Sequence, residues 1–179
     1  MIRRLILRKL DVQEAILGES MDYLRHMVRT SLRAFLRFTK ILSFASYRRK
    51  LPTDAAHVAR MVAARSQDCG PCVQISVNLA SAEGMNPEWI QAILDGRPDD
   101  LPKELAEVYL FTDHVVRMTG DEGDLRIAIR NRWSEEAVIE LALAIAGSQV
   151  FPIVKRVMGY AKSCSVVKPR LPEGSAGAD

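Results

Sequence analysis

The sequence predicts an all-α fold, a single helical bundle arranged around one close pair of cysteines. Two observations carry that prediction. Apolar residues recur at spacings of three and four along most of the chain, and no run shows convincing period-two alternation. Ala, Leu, Val, Ile and Met are plentiful while aromatics reach only 6%, a mix that favours helix over sheet. At 179 residues one domain is expected, over 1–167, with a basic leading segment (1–50), a core (51–167) and a flexible tail (168–179).

Residues 2–17 have helical spacing that stops at Gly18. Ile2, Leu5, Ile6, Leu10, Ile16 and Leu17 form the expected apolar face, with Arg3, Arg4, Arg8 and Lys9 outward. Ser20 can cap a second helix by accepting an orphan backbone N–H. From there Met21, Leu24, Met27, Val28, Leu32, Phe35, Leu36, Thr39 and Leu42 predict one long amphipathic helix to about Phe44. Its Met and Phe stripe reads as core or subunit interface, with a membrane-surface role as the alternative.

Residues 48–52 break the pattern, and Thr53 can cap a helix to about Arg65. Val58, Met61, Val62 and Arg65 lie on one side of it, and His57, Met61 and Ala64 on an adjacent stripe. Residues 66–70 turn the chain, and Pro71 suits a first helical position. The next helix, to about Glu83, carries Cys72, Ile75, Ser76 and Leu79 on one stripe and ends at Gly84. Asn86-Pro87 opens a short helix to Leu94, and residues 96–102 form a loop. Pro102 begins a helix with Leu105, Val108, Tyr109, Phe111, Thr112, Val115 and Val116 partly buried. Residues 121–132 form a shorter one. Ser134 caps a last long helix to about Lys162, which Gly147 and Pro152 should kink or split. From Lys168 on, Pro, Gly, Ser and Ala predict a frayed tail.

Charge is unevenly distributed. Residues 1–50 hold twelve Lys/Arg against four Asp/Glu; residues 51–179 hold thirteen against eighteen. A basic leading segment can meet phosphate or an anionic membrane, or dock on an acidic body, its own or a neighbour's. With no aromatic–basic interleaving and no nucleic-acid motif, docking or a solvated face is the expectation, and a nucleic-acid partner is not. Charges at Arg8, Lys9, Asp11 and Glu14 interrupt the early apolar run, which argues against a secretory signal. Residues 137–154 are the best membrane candidate, but Glu140, Gln149 and Pro152 make them a core helix instead. The expected location is the cytoplasm, where a C-x-x-C is more often catalytic or metal-binding than structural.

Cys69-Gly70-Pro71-Cys72 is the candidate site. A helix start favours thiolate over thiol, and two sulfurs at this spacing can attack and then resolve a mixed disulfide. The Gly-Pro dipeptide also occurs in thioredoxins, but the chain lacks the strands of that fold. Two other readings stay open here. Zinc would need further ligands, for which only Cys164, His26, His57 and His114 are available. The pair can also be two inert buried cysteines. No metal or cofactor is expected.

The order of elements resembles the carboxymuconolactone decarboxylase and alkylhydroperoxidase D-like superfamily. The resemblance runs from Leu51-Pro52 through the Cys69–Cys72 hairpin, Leu94-Asp95-Gly96-Arg97-Pro98 and Phe111-Thr112-Asp113 to Trp133-Ser134-Glu135-Glu136-Ala137-Val138-Ile139-Glu140-Leu141, about two-thirds of the chain. It implies an all-helical homo-oligomer. In the alkylhydroperoxidase D branch it implies a dithiol that reduces peroxide or disulfide substrates and is restored by an external dithiol. Cys69 and Cys72 carry over directly. The family's proton relay does not, because Ser76 stands at the family His and His57 at the family Glu. His57 could serve as base if its helix packs beside the hairpin, or be a buried histidine bonded to a carbonyl. The Ser76 hydroxyl could bond a thiolate or a water. His114 is a weaker candidate, and His26 is expected at the surface. A lactone decarboxylase, which does not depend on a dithiol, and a non-catalytic oligomeric binding protein are the alternatives.

Overall fold

A computed structural model of the chain describes residues 2–165 and 168–172. Every regular element among the described residues is helical. The order is α1 (Ile2–Leu17), α2 (Asp22–Thr30), α3 (Leu32–Phe38), α4 (Lys40–Ala45), α5 (Thr53–Ser66), α6 (Gly70–Ala82), α7 (Pro87–Asp95), a 3₁₀ turn (Pro98–Asp100), α8 (Lys103–Arg117), α9 (Gly123–Arg132) and α10 (Glu135–Val157). The all-α prediction is therefore met.

The body is built on α5, which packs against α8, α10 and α6. Its alanines explain how three helices reach one axis. Ala55, Ala56, Ala59, Ala63 and Ala64 are buried and leave room for close neighbours, while Val58, Met61 and Val62 fill the gaps. Two of the four predicted caps, Ser134 and Asn86, are in place, whereas α2 starts after Met21 and α5 after Pro52, so neither Ser20 nor Thr53 is an N-cap. Ser134 Oγ accepts from Ala137 N–H at 3.1 Å, and Asn86 Oδ1 accepts from Glu88 N–H at 2.8 Å.

A second apolar cluster belongs to the N-terminal lobe. Leu10, Met21, Tyr23, Val28 and Phe35 pack together, joined by Ile75 of α6 and Val154 of α10. Here the structure corrects the sequence reading twice. The long helix predicted to Phe44 is three. Ser31 adopts an extended backbone and its Oγ caps α3 by accepting from Ala34 N–H, so a local side-chain bond replaces the helical ladder. The face of α1 also differs. Ile6, Leu7, Leu10 and Leu17 turn inward, whereas Ile2, Leu5 and Ile16 are more than half exposed. Leu36 and Leu42, assigned to the apolar stripe, are exposed as well.

The helix α10 runs unbroken through Gly147 and Pro152 rather than splitting. Gly147 instead permits a close approach, since a Cβ there would overlap Ala45 Cβ of α4. The helix stops at Val157, short of Lys162. Gly159 takes φ +80°, and Tyr160 N–H closes onto Lys155 O at 2.8 Å, a Schellman-type ending. By length and composition α10 could cross a membrane, but it lies in the bundle and buries Ala137, Val138, Leu141, Ala144 and Ile145 against its neighbours. Glu140 is also buried. Its two oxygens accept from the N–H groups of Arg49, Lys50 and Leu51 at 2.8–3.2 Å, which fixes the linker between lobe and body. Burial alone would raise this carboxyl's pKa, but those three N–H donors outweigh it and hold the value below normal.

Residues 168–172, predicted to fray, lie against the bundle. Gln74 exchanges two hydrogen bonds of 2.8 Å with the Arg170 backbone, and Leu171 packs on the main core. The rest of the predicted tail, 173–179, falls outside the described residues, as do 166–167.

Candidate functional site

The helices α5 and α6 form an antiparallel hairpin whose turn carries the cysteines. Asp68 takes the left-handed conformation (φ +46°), which sends the chain into α6. Cys69 is the N-cap residue. Its carbonyl accepts from Cys72 and Val73 N–H at 2.9 and 3.0 Å, and Pro71 occupies the first turn, where no intrahelical donor is needed. The two Cα atoms lie 5.3 Å apart and the sulfurs are bonded to each other.

The two sulfurs are not equivalent. Cys69 is wholly buried. Its outer side is strapped by the segment after α10: Gly70 N–H donates to Lys162 O at 3.0 Å, and Asp68 Oδ1 accepts from Ser163 Oγ and Cys164 N–H. Those two donors, the Cys164 backbone first, hold the Asp68 carboxyl below its ordinary pKa. Cys72 faces the other way, into a cavity of about 430 Å³ between lobe and body. The α6 stripe of Cys72, Ile75, Ser76, Leu79 and Glu83 forms one wall of this cavity; Phe35 and Phe38 of α3 and Phe151 of α10 contribute others. An i, i+3, i+4 repeat puts one helix face on a common surface, so this wall was readable in the sequence.

The cavity has two distinguishable ends. Arg156, at the end of α10, donates to the carbonyls of Gln67 and Asp68 beside the cysteines. At the other end Gly147 meets Ala45, and Arg60 donates to Ala45 O. The helices α6 and α10 therefore run antiparallel, and the Cys72 end of the cavity is also the Lys155 end.

His57 is fully buried on α5, with Nε2 3.2 Å from Glu83 Oε2, close enough for an ion pair but outside good hydrogen-bond alignment. Glu83 follows the last residue of α6, about 16 Å of helix beyond Cys72. The structure thus groups His57 with Glu83 and Arg60 and does not bring it to the dithiol. Burial first, then the Arg60 charge, pushes the His57 pKa below its ordinary value, with Glu83 opposing. Ser76 is close to Cys72 but its hydroxyl donates to the Cys72 carbonyl at 3.2 Å. Its one proton is used within the helix rather than offered to a sulfur. His114 is half-buried in α8 with an unpartnered Nδ1. His26 is exposed, as expected, and lies 3.1 Å from the Tyr160 hydroxyl. Among the described residues no group of three or more His, Cys, Asp or Glu side chains is gathered as a metal would require.

Two features go beyond the sequence reading, in which Cys164 figured only as an available zinc ligand and Lys155 not at all. Cys164, the one free cysteine, sits on the strap beside Asp68, and burial followed by the Asp68 charge pushes its thiol up. Lys155 is the second. It is 3% exposed and lines the cavity, with Nζ 5.0 Å from the centre of the Tyr23 ring. Its place in an apolar helix at i+4 from Phe151 was the available signal. The chain matches no protein-family model and no curated protein sequence, so what the site can do is read from its own residues.

Proposed function

We propose that the protein is a thiol–disulfide oxidoreductase that reduces peroxides with the Cys69–Cys72 pair, in the manner of the alkylhydroperoxidase D-like proteins it resembles. One observation carries this reading: a bonded cysteine pair at a helix start, with one sulfur opening on a cavity and the other sealed behind it. That asymmetry gives the roles. The Cys72 thiolate attacks one peroxide oxygen, the O–O bond breaks, and the other oxygen leaves as an alcohol after taking a proton. Cys72 is then a sulfenic acid. Cys69 displaces its hydroxyl as water, which forms the disulfide. An external dithiol returns two electrons and two protons and is itself oxidised. The first-turn N–H groups of α6 are taken by the carbonyls of Lys162 and Cys69, so it is the positive end of the helix dipole that favours an anion at the pair. Neither Ser76, whose hydroxyl donates to the Cys72 carbonyl, nor His57, which lies beside Glu83, is placed to move the proton. A cytoplasmic location and assembly of several copies belong to the same reading.

The test is turnover of cumene hydroperoxide with dithiothreitol as reductant. Cys72→Ser should lower turnover by more than about 100-fold. With peroxide but no reductant, Cys69→Ser should still form one sulfenic acid per chain but not the Cys69–Cys72 disulfide. Equal rates in wild type and the double Cys→Ser variant would end the proposal.

A further inference from the structure

We propose that the cavity between lobe and body is a binding site for an amphiphilic monoanion, an unbranched apolar chain ending in a carboxylate, with the carboxylate held by Lys155. The first observation is the state of that lysine. It is only 3% exposed, and it lines the cavity. Among the described residues no carboxylate comes within 4.0 Å of its ammonium and no side-chain hydrogen bond engages it; the ammonium lies over the face of Tyr23. Glu19 is the carboxylate whose charge reaches it, from beyond contact distance. A buried ammonium is costly to maintain unless an anion meets it. The cavity supplies the room for one.

The second observation is the wall. Leu10, Met21, Phe35, Ile75, Leu79 and Phe151 make most of it apolar. A small anion such as phosphate would answer Lys155 but leave those side chains facing water. A neutral hydrocarbon would cover them but leave the ammonium bare. Only a molecule with both parts satisfies the whole surface. The far end, where Arg60 and Glu83 also reach the cavity, lies about 16 Å of helix from the dithiol end, which sets the tail's length. The site rests on Lys155 and the cavity alone, so failure of the peroxide assay would leave it standing.

The test uses the full chain and three ten-carbon probes below their micellar concentrations: decanoate, 1-decanol and decyltrimethylammonium. Calorimetric titration should show saturable 1:1 binding of decanoate, about tenfold or more tighter than the alcohol, and weakest binding of the cation. Lys155→Met keeps the side-chain length and removes the charge. It should bind decanoate no tighter than 1-decanol. Absence of saturable decanoate binding, equal affinity for decanoate and alcohol in wild type, or an undiminished gap in Lys155→Met would overturn the proposal. The three-probe comparison on wild type decides the matter even if the variant fails to fold.

Discussion

The two halves of the molecule bury their apolar residues in different ways. In the body, α5 is enclosed on nearly every side; of its fourteen residues nine are buried, including both polar His57 and a run of alanines. In the lobe, α1 is longer, at sixteen residues, and buries only Leu10. A helix surrounded by neighbours is held by packing, whereas a helix with one buried residue is held by what it leans on. The cavity lies at the boundary, and Cys72 stands in the body's wall of it. The more fully packed half therefore carries both cysteines, while the lobe supplies the opposite wall of the cavity.

Truncation should separate the halves most strongly. Leu141→Ala, in the body, should cost about 3–4 kcal/mol in denaturant unfolding, because a new void opens in a filled core. Leu10→Ala in the lobe should cost about 1–2 kcal/mol, since that side chain already borders a cavity. Equal losses would remove the distinction. The link between the halves comes next. Glu140→Ala leaves three N–H donors of residues 49–51 without their acceptor and should cost about 2–3 kcal/mol. Gly147→Ala forces α4 away from α10 and should cost about 1–2 kcal/mol, with faster amide exchange in α2–α4 than in α5.

The smallest effect is a pH slope. The folded-state pKa of His57 lies below the ordinary 6.5, so the unfolded chain binds its proton first. The stability this group contributes is complete above pH 6.5 and is lost as pH falls from there through the folded value. The slope is at most about 1.4 kcal/mol per pH unit. His57→Leu should flatten that part of the stability–pH curve, and an unchanged curve would place the sensitivity elsewhere.

Much of the architecture was legible because it is written locally. Asn86-Pro87 and Ser134 announce helix starts through side chains that bond two or three residues on, and the Cys72–Ile75–Ser76–Leu79 stripe follows from helical repeat alone. What was illegible depends on distant partners or on competition. Ser31 sits inside an unbroken three–four pattern, and only the choice of its hydroxyl over the ladder divides the helix. Glu140 was visible as a charge that argued against a membrane span, but not as the acceptor for a linker about 90 positions away. Lys155 becomes a buried cation only when α2 lays Tyr23 across it. His57 had the right stripe and the wrong end, because the hairpin's pairing carries it to Glu83.

The most direct test of the account is the rate of dithiol-dependent cumene hydroperoxide reduction by wild type and by the variant carrying both Cys69→Ser and Cys72→Ser, both shown to be helical and folded. Multiple turnovers are expected in wild type and none in the variant. Equal consumption by the two proteins would contradict it.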